Sequence, residues 1–240
     1  MSPYGGTISK PERTGGPLVP RTYKLANSQA LTVFPVSRET VPNELLAYLQ
    51  GVFNDVVEEG RTYPQMSPLS LDEFAAYFFA ADCFIGILDA APADLGDASA
   101  GMDRDESLQL ESVVAGREWR DCVLGMYCES RLILRLLSVP NYPGRSSHLC
   151  NGGFVVPTVH RGLRVGSTLG RSYLHYAPLL GYRGSVFNLV YVSNVASVKI
   201  WDGLGFQRAG LIPGAGKLKG KDGAEDEYVD AIVYNYQFVK

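Results

Sequence analysis

The segment "HRGLRVGSTLG", residues 160–170, places two arginines and two glycines in a turn between an apolar run and an amphipathic stretch. A strand–turn–helix unit of this kind suits an anion. The first amides of a helix have no internal partners, and the helix dipole puts partial positive charge there. Gly162 and Gly166 let the backbone approach a bulky group without a Cβ in the way. Arg161 and Arg164 add forked donors matched to phosphate oxygens, and Ser167 can cap or donate. The same composition also describes a solvated basic loop, so the turn alone does not decide between them. It is neither a Walker loop, lacking Gly-Lys-Ser/Thr, nor a dinucleotide fingerprint, lacking G-x-G-x-x-G.

Other candidate groups are polar residues in apolar surroundings. Asn151 and Asn188 lie on two segments that read as buried strands. An unpaired buried amide costs about 1–3 kcal/mol, so each must find a partner, internal or bound. Asn194 precedes a helical stretch and reads as its N-cap. Glu58 and Glu59 read as surface charges at a helix end. Cys83, Cys122, Cys128 and Cys150 show no C-x-x-C spacing, and His148, His160 and His175 are scattered, so no metal site is expected. Buried free thiols in a reducing compartment account for the cysteines.

These groups need a scaffold, and hydrophobic periodicity supplies one. Residues 31–37 alternate as a strand; 41–60 carry Leu45, Leu49, Val52, Phe53 and Val56 at helical spacing. Ser70 and Glu73 form a capping-box pattern ahead of a second helix. Residues 83–90 and the stretch after 121 read as strands, separated by 91–117, an Ala-, Gly-, Asp- and Ser-rich stretch taken as a loop insertion. The second half reads as a strand (150–156), the turn, a helix with Leu169, Tyr173, Tyr176, Ala177 and Leu180 on one face, and a strand buried on both faces (185–192). A short helix and two closing strands follow. The order predicts a mixed α/β sheet with helices on its faces, a single domain over 29–240 behind a flexible leader, 1–28.

Net charge is −3 over 240 residues, and no apolar run approaches the roughly 20 residues that span a bilayer. Neither nucleic acid nor membrane is an expected partner. The leader is basic and acid-poor, a composition shared with mitochondrial targeting peptides, but its Pro and Gly oppose an amphipathic helix; the expected location is cytoplasmic, with the mitochondrion as alternative.

Read with "NVASVKIWDGLGF" (194–206), the turn resembles the two signature motifs of the GNAT superfamily of N-acetyltransferases. The strings "NYPGRSSHLCNGGF", "APLLGYRGSVFNLVYVSNVASVKIWDGLGF" and "EEGRTYPQ" are similar to the fungal enzymes that acetylate L-azetidine-2-carboxylic acid, a toxic proline analogue. The resemblance implies a mostly antiparallel central sheet with helices on both faces. It implies acetyl-CoA as co-substrate, with its arm on the backbone of Phe154, Val155 and Val156, where an amide can polarise the thioester carbonyl. Its phosphates would lie on Arg161, Gly162, Leu163, Arg164, Val165, Gly166 and Ser167, with Asn194 and Ser197 touching the arm. Asn151 and Asn188 would hold the small-molecule amine, with Tyr63 and Gln65 lining its side. The implied activity is direct transfer to a proline-like or heterocyclic amino acid, for detoxification or secondary metabolism. A protein or polyamine acetyltransferase, or a non-catalytic acyl-CoA sensor, stays open as an alternative.

The chain departs from the superfamily pattern at two points. Arg164 stands where members usually carry Gly, and its amide can donate there if the residue avoids a positive φ. Trp201 stands where many carry a tyrosine acid, and an indole N–H cannot serve as one. By analogy with enzymes that pair through sheet edges or C-terminal strands, a homodimer is implied.

Overall fold

The apolar stripe of residues 43–59 folds as predicted, because burying five large side chains on one face outweighs the weak helix propensity of its valines. A computed structural model describes residues 12–13, 15–80, 82–89, 104–105, 107–128, 132–134, 137–139, 142 and 144–238. Its elements run β1 (Arg21–Lys24), β2 (Ala30–Val36), α1 (Asn43–Glu59), α2 (Leu71–Phe78), β3 (Cys83–Leu88) and β4 (Arg104–Asp105). Then come α3 (Leu110–Val114), α4 (Trp119–Cys122), β5 (Val123–Cys128), β6 (Leu132–Leu134), β7 (Leu137–Val139), β8 (Leu149–Cys150) and β9 (Gly153–Val155). The chain closes with α5 (Val165–Leu179), β10 (Gly184–Tyr191), α6 (Val195–Gly203), β11 (Gln207–Leu218) and β12 (Glu227–Gln237).

Local signals set the helix ends. Gly60 closes α1 at φ 65°, and Ser70 and Glu73 complete the capping box of α2. Asn194 caps α6 through the Ser197 amide.

The strands form a six-stranded sheet, β4-β1-β2-β3-β5-β9, and a four-stranded sheet, β11-β12-β10-β8; β6 and β7 pair as a hairpin. All pairings are antiparallel except β8 with β10. Alternation in β3 sends Cys83, Ile85 and Ile87 to one face, packed with Leu45, Leu49, Phe53, Phe74 and Phe78 of α1 and α2. Phe84 points the other way, to Leu169, Tyr173, Tyr176 and Ala177 of α5. Helices therefore cover both faces. All four cysteines are buried, and no disulfide joins them.

Three sequence expectations change. The leader does not extend to residue 28: β1 pairs with β2, and Tyr23 and Leu25 are buried in the core under α5. Pro and Gly upstream masked that short β pattern; residues 1–11 lie outside the described part. The 91–117 insertion is likewise cut short. Residues 90–103 lie outside the described residues, but Leu110, Val113 and Val114 of α3 pack into the α1 core, a helical spacing hidden by the polar residues around it. Finally, β10 is not buried on both faces: a bulge between Phe187 and Val190 leaves Asn188 half-buried and Leu189 41% exposed.

Candidate active site

The bulge in β10 faces a strand that changes sheets. Leu149 and Cys150 run parallel to Gly184 and Ser185, whereas Gly153, Phe154 and Val155 pair antiparallel with Cys128, Tyr127 and Met126. Asn151 and Gly152 sit at the crossing. Among the described residues no register pair joins β9 to β10, so the two strands part there. Aromatic rings wedge the opening: Phe154 of β9 and Phe187 of β10 lie 4.9 and 4.5 Å from the Trp201 ring. Gly152 is required at the crossing, since a Cβ would come within 2.8 Å of the Phe154 ring and 3.0 Å of Tyr173.

Asn151 and Asn188, predicted from sequence, flank this seam. The Gly152 N–H donates to Asn151 Oδ1 at 2.8 Å. The Tyr142 hydroxyl donates to Asn188 Oδ1 over a long 3.4 Å. Both asparagines remain half-buried. From the α1 side, the Tyr63 hydroxyl donates to the Phe154 carbonyl at 3.2 Å. Burial pushes the Tyr63 phenol well above its usual range and that of Tyr77 up to about 12, so both are neutral at physiological pH. The Gln65 side chain beside the Tyr77 hydroxyl offsets part of that rise.

At the end of the seam lies the glycine–arginine turn. Gly162 takes φ 86°. Helix α5 starts at Val165 with no side-chain cap, unlike α2 and α6, so its leading amides have no capping side chain as acceptor. Arg161 pairs with Glu59 at 3.0 Å, and Thr158 donates to the same carboxylate at 2.9 Å. Glu59 is thus a tether between α1 and the turn rather than the plain surface charge expected.

Comparison with known proteins gives this geometry a family. No family model matches the chain. It is 37% identical over 195 residues to the N-acetyltransferase aca1 of Schizosaccharomyces pombe, covering 81% of both chains. The chain belongs to the GNAT superfamily of N-acetyltransferases. It is also 31% identical over 241 residues to Protein SPT10 of Saccharomyces cerevisiae, spanning 95% of this chain but 37% of that protein. Among solved structures, a GCN5-related N-acetyltransferase from Kribbella flavida superposes with TM-score 0.59 at 21% identity, covering 86% of this chain and 97% of its own. The yncA acetyltransferase of Salmonella typhimurium, solved with its cofactor acetyl-CoA, gives 0.56 at 14% identity, with coverages of 88% and 95%.

Against the GNAT pattern, the departure at residue 164 turns out differently from expectation. Arg164 does take a positive φ, 60°, with ψ 20°. The turn into α5 demands the left-handed region whichever residue stands there, and arginine bears about 1–2 kcal/mol of strain that glycine would not. Its guanidinium has no hydrogen bond or ion pair among the described residues. The departure at Trp201 holds: the indole is buried and its N–H donates to Ser197 Oγ at 2.9 Å. The Ser197 N–H in turn donates to Asn194 Oδ1 at 3.1 Å, which links three residues of the second GNAT motif in one chain of bonds.

Sequence reasoning missed Tyr142 and Glu59. Tyr142 stood in a quoted string, but only the fold carries its loop to β10. Among the described residues no group of three His, Cys, Asp or Glu could hold a metal ion, and no helix is long and apolar enough to cross a membrane.

Proposed function

We propose that the protein transfers acetyl from acetyl-CoA to the amine of a small, proline-like amino acid. The observation that carries this reading is the sheet change at Asn151 opposite the β10 bulge at Asn188, which brings two amide side chains to the mouth of an unpaired seam. The open edge of β9 at Phe154 and Val155, continued by Val156, fits an extended amide-bearing arm, and the uncapped start of α5 fits its phosphates. Gly162, Leu163, Val165, Gly166 and Ser167 would offer backbone there, Arg161 and Arg164 charge, and Asn194 and Ser197 the flanking polar contacts. Two acetyltransferase structures with this fold, from Salmonella typhimurium and Sinorhizobium meliloti, hold acetyl-CoA.

Acetyl-CoA supplies an activated acetyl group. Asn151 and Asn188 hold the substrate so that its neutral nitrogen lies in line with the thioester carbon. Backbone N–H groups of β9 stabilise the charge that develops on the carbonyl oxygen. The N–C bond forms, the C–S bond breaks, and the proton shed by nitrogen ends on sulfur through water. Trp201 takes no part in that transfer, because its N–H is committed to Ser197.

Four buried cysteines with no disulfide between them support a reducing compartment such as the cytoplasm. The exposed edge strand β11, with Leu211 and Ile212 uncovered, supports a homodimer.

Thiol release from acetyl-CoA, measured with azetidine-2-carboxylate beside spermidine and a lysine peptide, tests the reading. Turnover restricted to the cyclic amino acid is expected; turnover restricted to spermidine or the peptide overturns it. Arg164→Gly is expected to raise Tm by about 2–4 °C, the release of about 1 kcal/mol of strain. The same variant should raise the KM for acetyl-CoA roughly three- to tenfold through loss of one phosphate-directed cation, read by calorimetry and steady-state kinetics.

A further inference from the structure

A cavity of about 380 Å³ opens between α1, α4 and the loop that runs from β9 to the glycine–arginine turn. Pockets for small molecules run from about 300 to 1,000 Å³, so it is ligand-sized. It shares no residue with the seam or with the expected acetyl-CoA contacts. Val52 and Val56 of α1 and Pro157 of the loop give it buried apolar surface. Val159, 77% exposed, is an apolar side chain left open to solvent there. Charge of both signs lines the same space, as the Asp55 carboxylate from α1 and the Arg120 guanidinium from α4. Both stand near enough to Tyr48 to act on its phenol. Yet no ion pair joins them, and neither side chain has a hydrogen bond among the described residues.

The cavity also touches the tether to the turn. Its Thr158 donates to Glu59 Oε1 at 2.9 Å, and Arg161 holds Oε2 of that carboxylate at 3.0 Å. His160, between them, donates its Nε2–H to the Arg120 carbonyl at 3.3 Å. We propose that this cavity is a regulatory site for a free amino acid with an aliphatic side chain, bound as its zwitterion, and that its occupancy tightens acetyl-CoA binding. The lining selects the class. A ligand carboxylate takes the forked donors of Arg120, and a ligand ammonium donates to Asp55. An aliphatic side chain covers the valines and Pro157. An N-acylated amino acid lacks the ammonium and an amino-acid amide lacks the carboxylate, so each leaves one charge unmatched. Covering Val159 restrains the loop that carries Thr158. Glu59 is then fixed on the turn before acetyl-CoA arrives, and less ordering is left for its phosphates to impose. This coupling rests on the turn holding acetyl-CoA, as proposed above; the amino-acid site itself does not.

Calorimetric titration with L-leucine, on the protein without acetyl-CoA, tests the site. Binding is expected, with N-acetyl-L-leucine and L-leucinamide at least about tenfold weaker through loss of a charged partner. Arg120→Gln and Asp55→Asn should each weaken L-leucine at least about tenfold for the same reason. Both side chains are exposed, so Tm should stay within about 2 °C of the parent. Asn188→Ala, at the seam, should leave L-leucine binding within about twofold. Saturating L-leucine should lower the Kd for acetyl-CoA at least about fivefold, and Glu59→Gln should abolish that shift while L-leucine still binds. No L-leucine binding, or equal binding of the acetylated or amide form, overturns the site. So does binding lost in Asn188→Ala and kept in Arg120→Gln, which would put the amino acid at the seam. Binding in the cavity with an unchanged Kd for acetyl-CoA overturns the regulatory role. Absence of azetidine-2-carboxylate turnover bears only on the acceptor reading.

Discussion

Asn188→Ala is expected to lower kcat/KM for the amine about 10- to 100-fold while leaving acetyl-CoA binding within about twofold. A hydrogen bond to a charged substrate group contributes about 1.5–3 kcal/mol, which converts to that range. The side chain is half-buried on a bulged strand and accepts a long bond from Tyr142, so calorimetry on the variant reads any cost to the fold separately from the loss of substrate contact. Asn151→Ala should act in the same direction, with a larger loss of stability, because Asn151 also accepts the Gly152 N–H at the strand crossing. Steady-state kinetics with each substrate varied, beside calorimetric titration of acetyl-CoA, separates the two effects. If either variant unfolds, or weakens both substrates equally, its asparagine is a structural hydrogen-bonding group.

The second large effect concerns the seam itself. Gly125→Val should destabilise the fold by about 3 kcal/mol or more, the upper end of what overpacking costs. For a chain of this size that corresponds to a Tm drop of roughly 6–12 °C. The reason is a backbone contact: a Cβ at Gly125 would stand 2.8 Å from the Val155 carbonyl oxygen and 3.0 Å from Leu169 Cδ1. Leu169 is locked in the α5 core, so β9 must give way. Its direction of escape is toward β10, which narrows the seam. Scanning calorimetry should therefore show the lower Tm, and titration with acetyl-CoA should show binding lost ahead of unfolding. Retained affinity with a lowered Tm would mean that β9 can shift without closing the site.

Much of this was legible in the linear chain. Helix α1 announced itself by five apolar residues at helical spacing, α2 by its capping box, and α6 by Asn194. On α5 the expected Leu169, Tyr173, Tyr176 and Ala177 are buried, as is Leu180 just past the helix end, but the structure also buries Val165, Thr168, Gly170 and Ser172. Such features depend on neighbours within a turn or two, which a sequence displays directly. The anion-binding turn was legible as chemistry but not as conformation: Arg164 sits in the left-handed region because the strand-to-helix reversal requires it, against its own preference. Strand β1 was obscured by the Pro- and Gly-rich residues before it, and α3 by polar flanks.

What the amino-acid order determined by itself was the set of elements, their caps and the residue types able to hold an anion and an amine. Tertiary structure alone decided that Leu149–Val155 divides between two sheets, that Glu59 reaches across to Arg161, and that Tyr142 meets Asn188. Those contacts join residues dozens of positions apart. They arise where twisted sheets diverge and helices close over them, a geometry set by packing the whole chain rather than by any local preference.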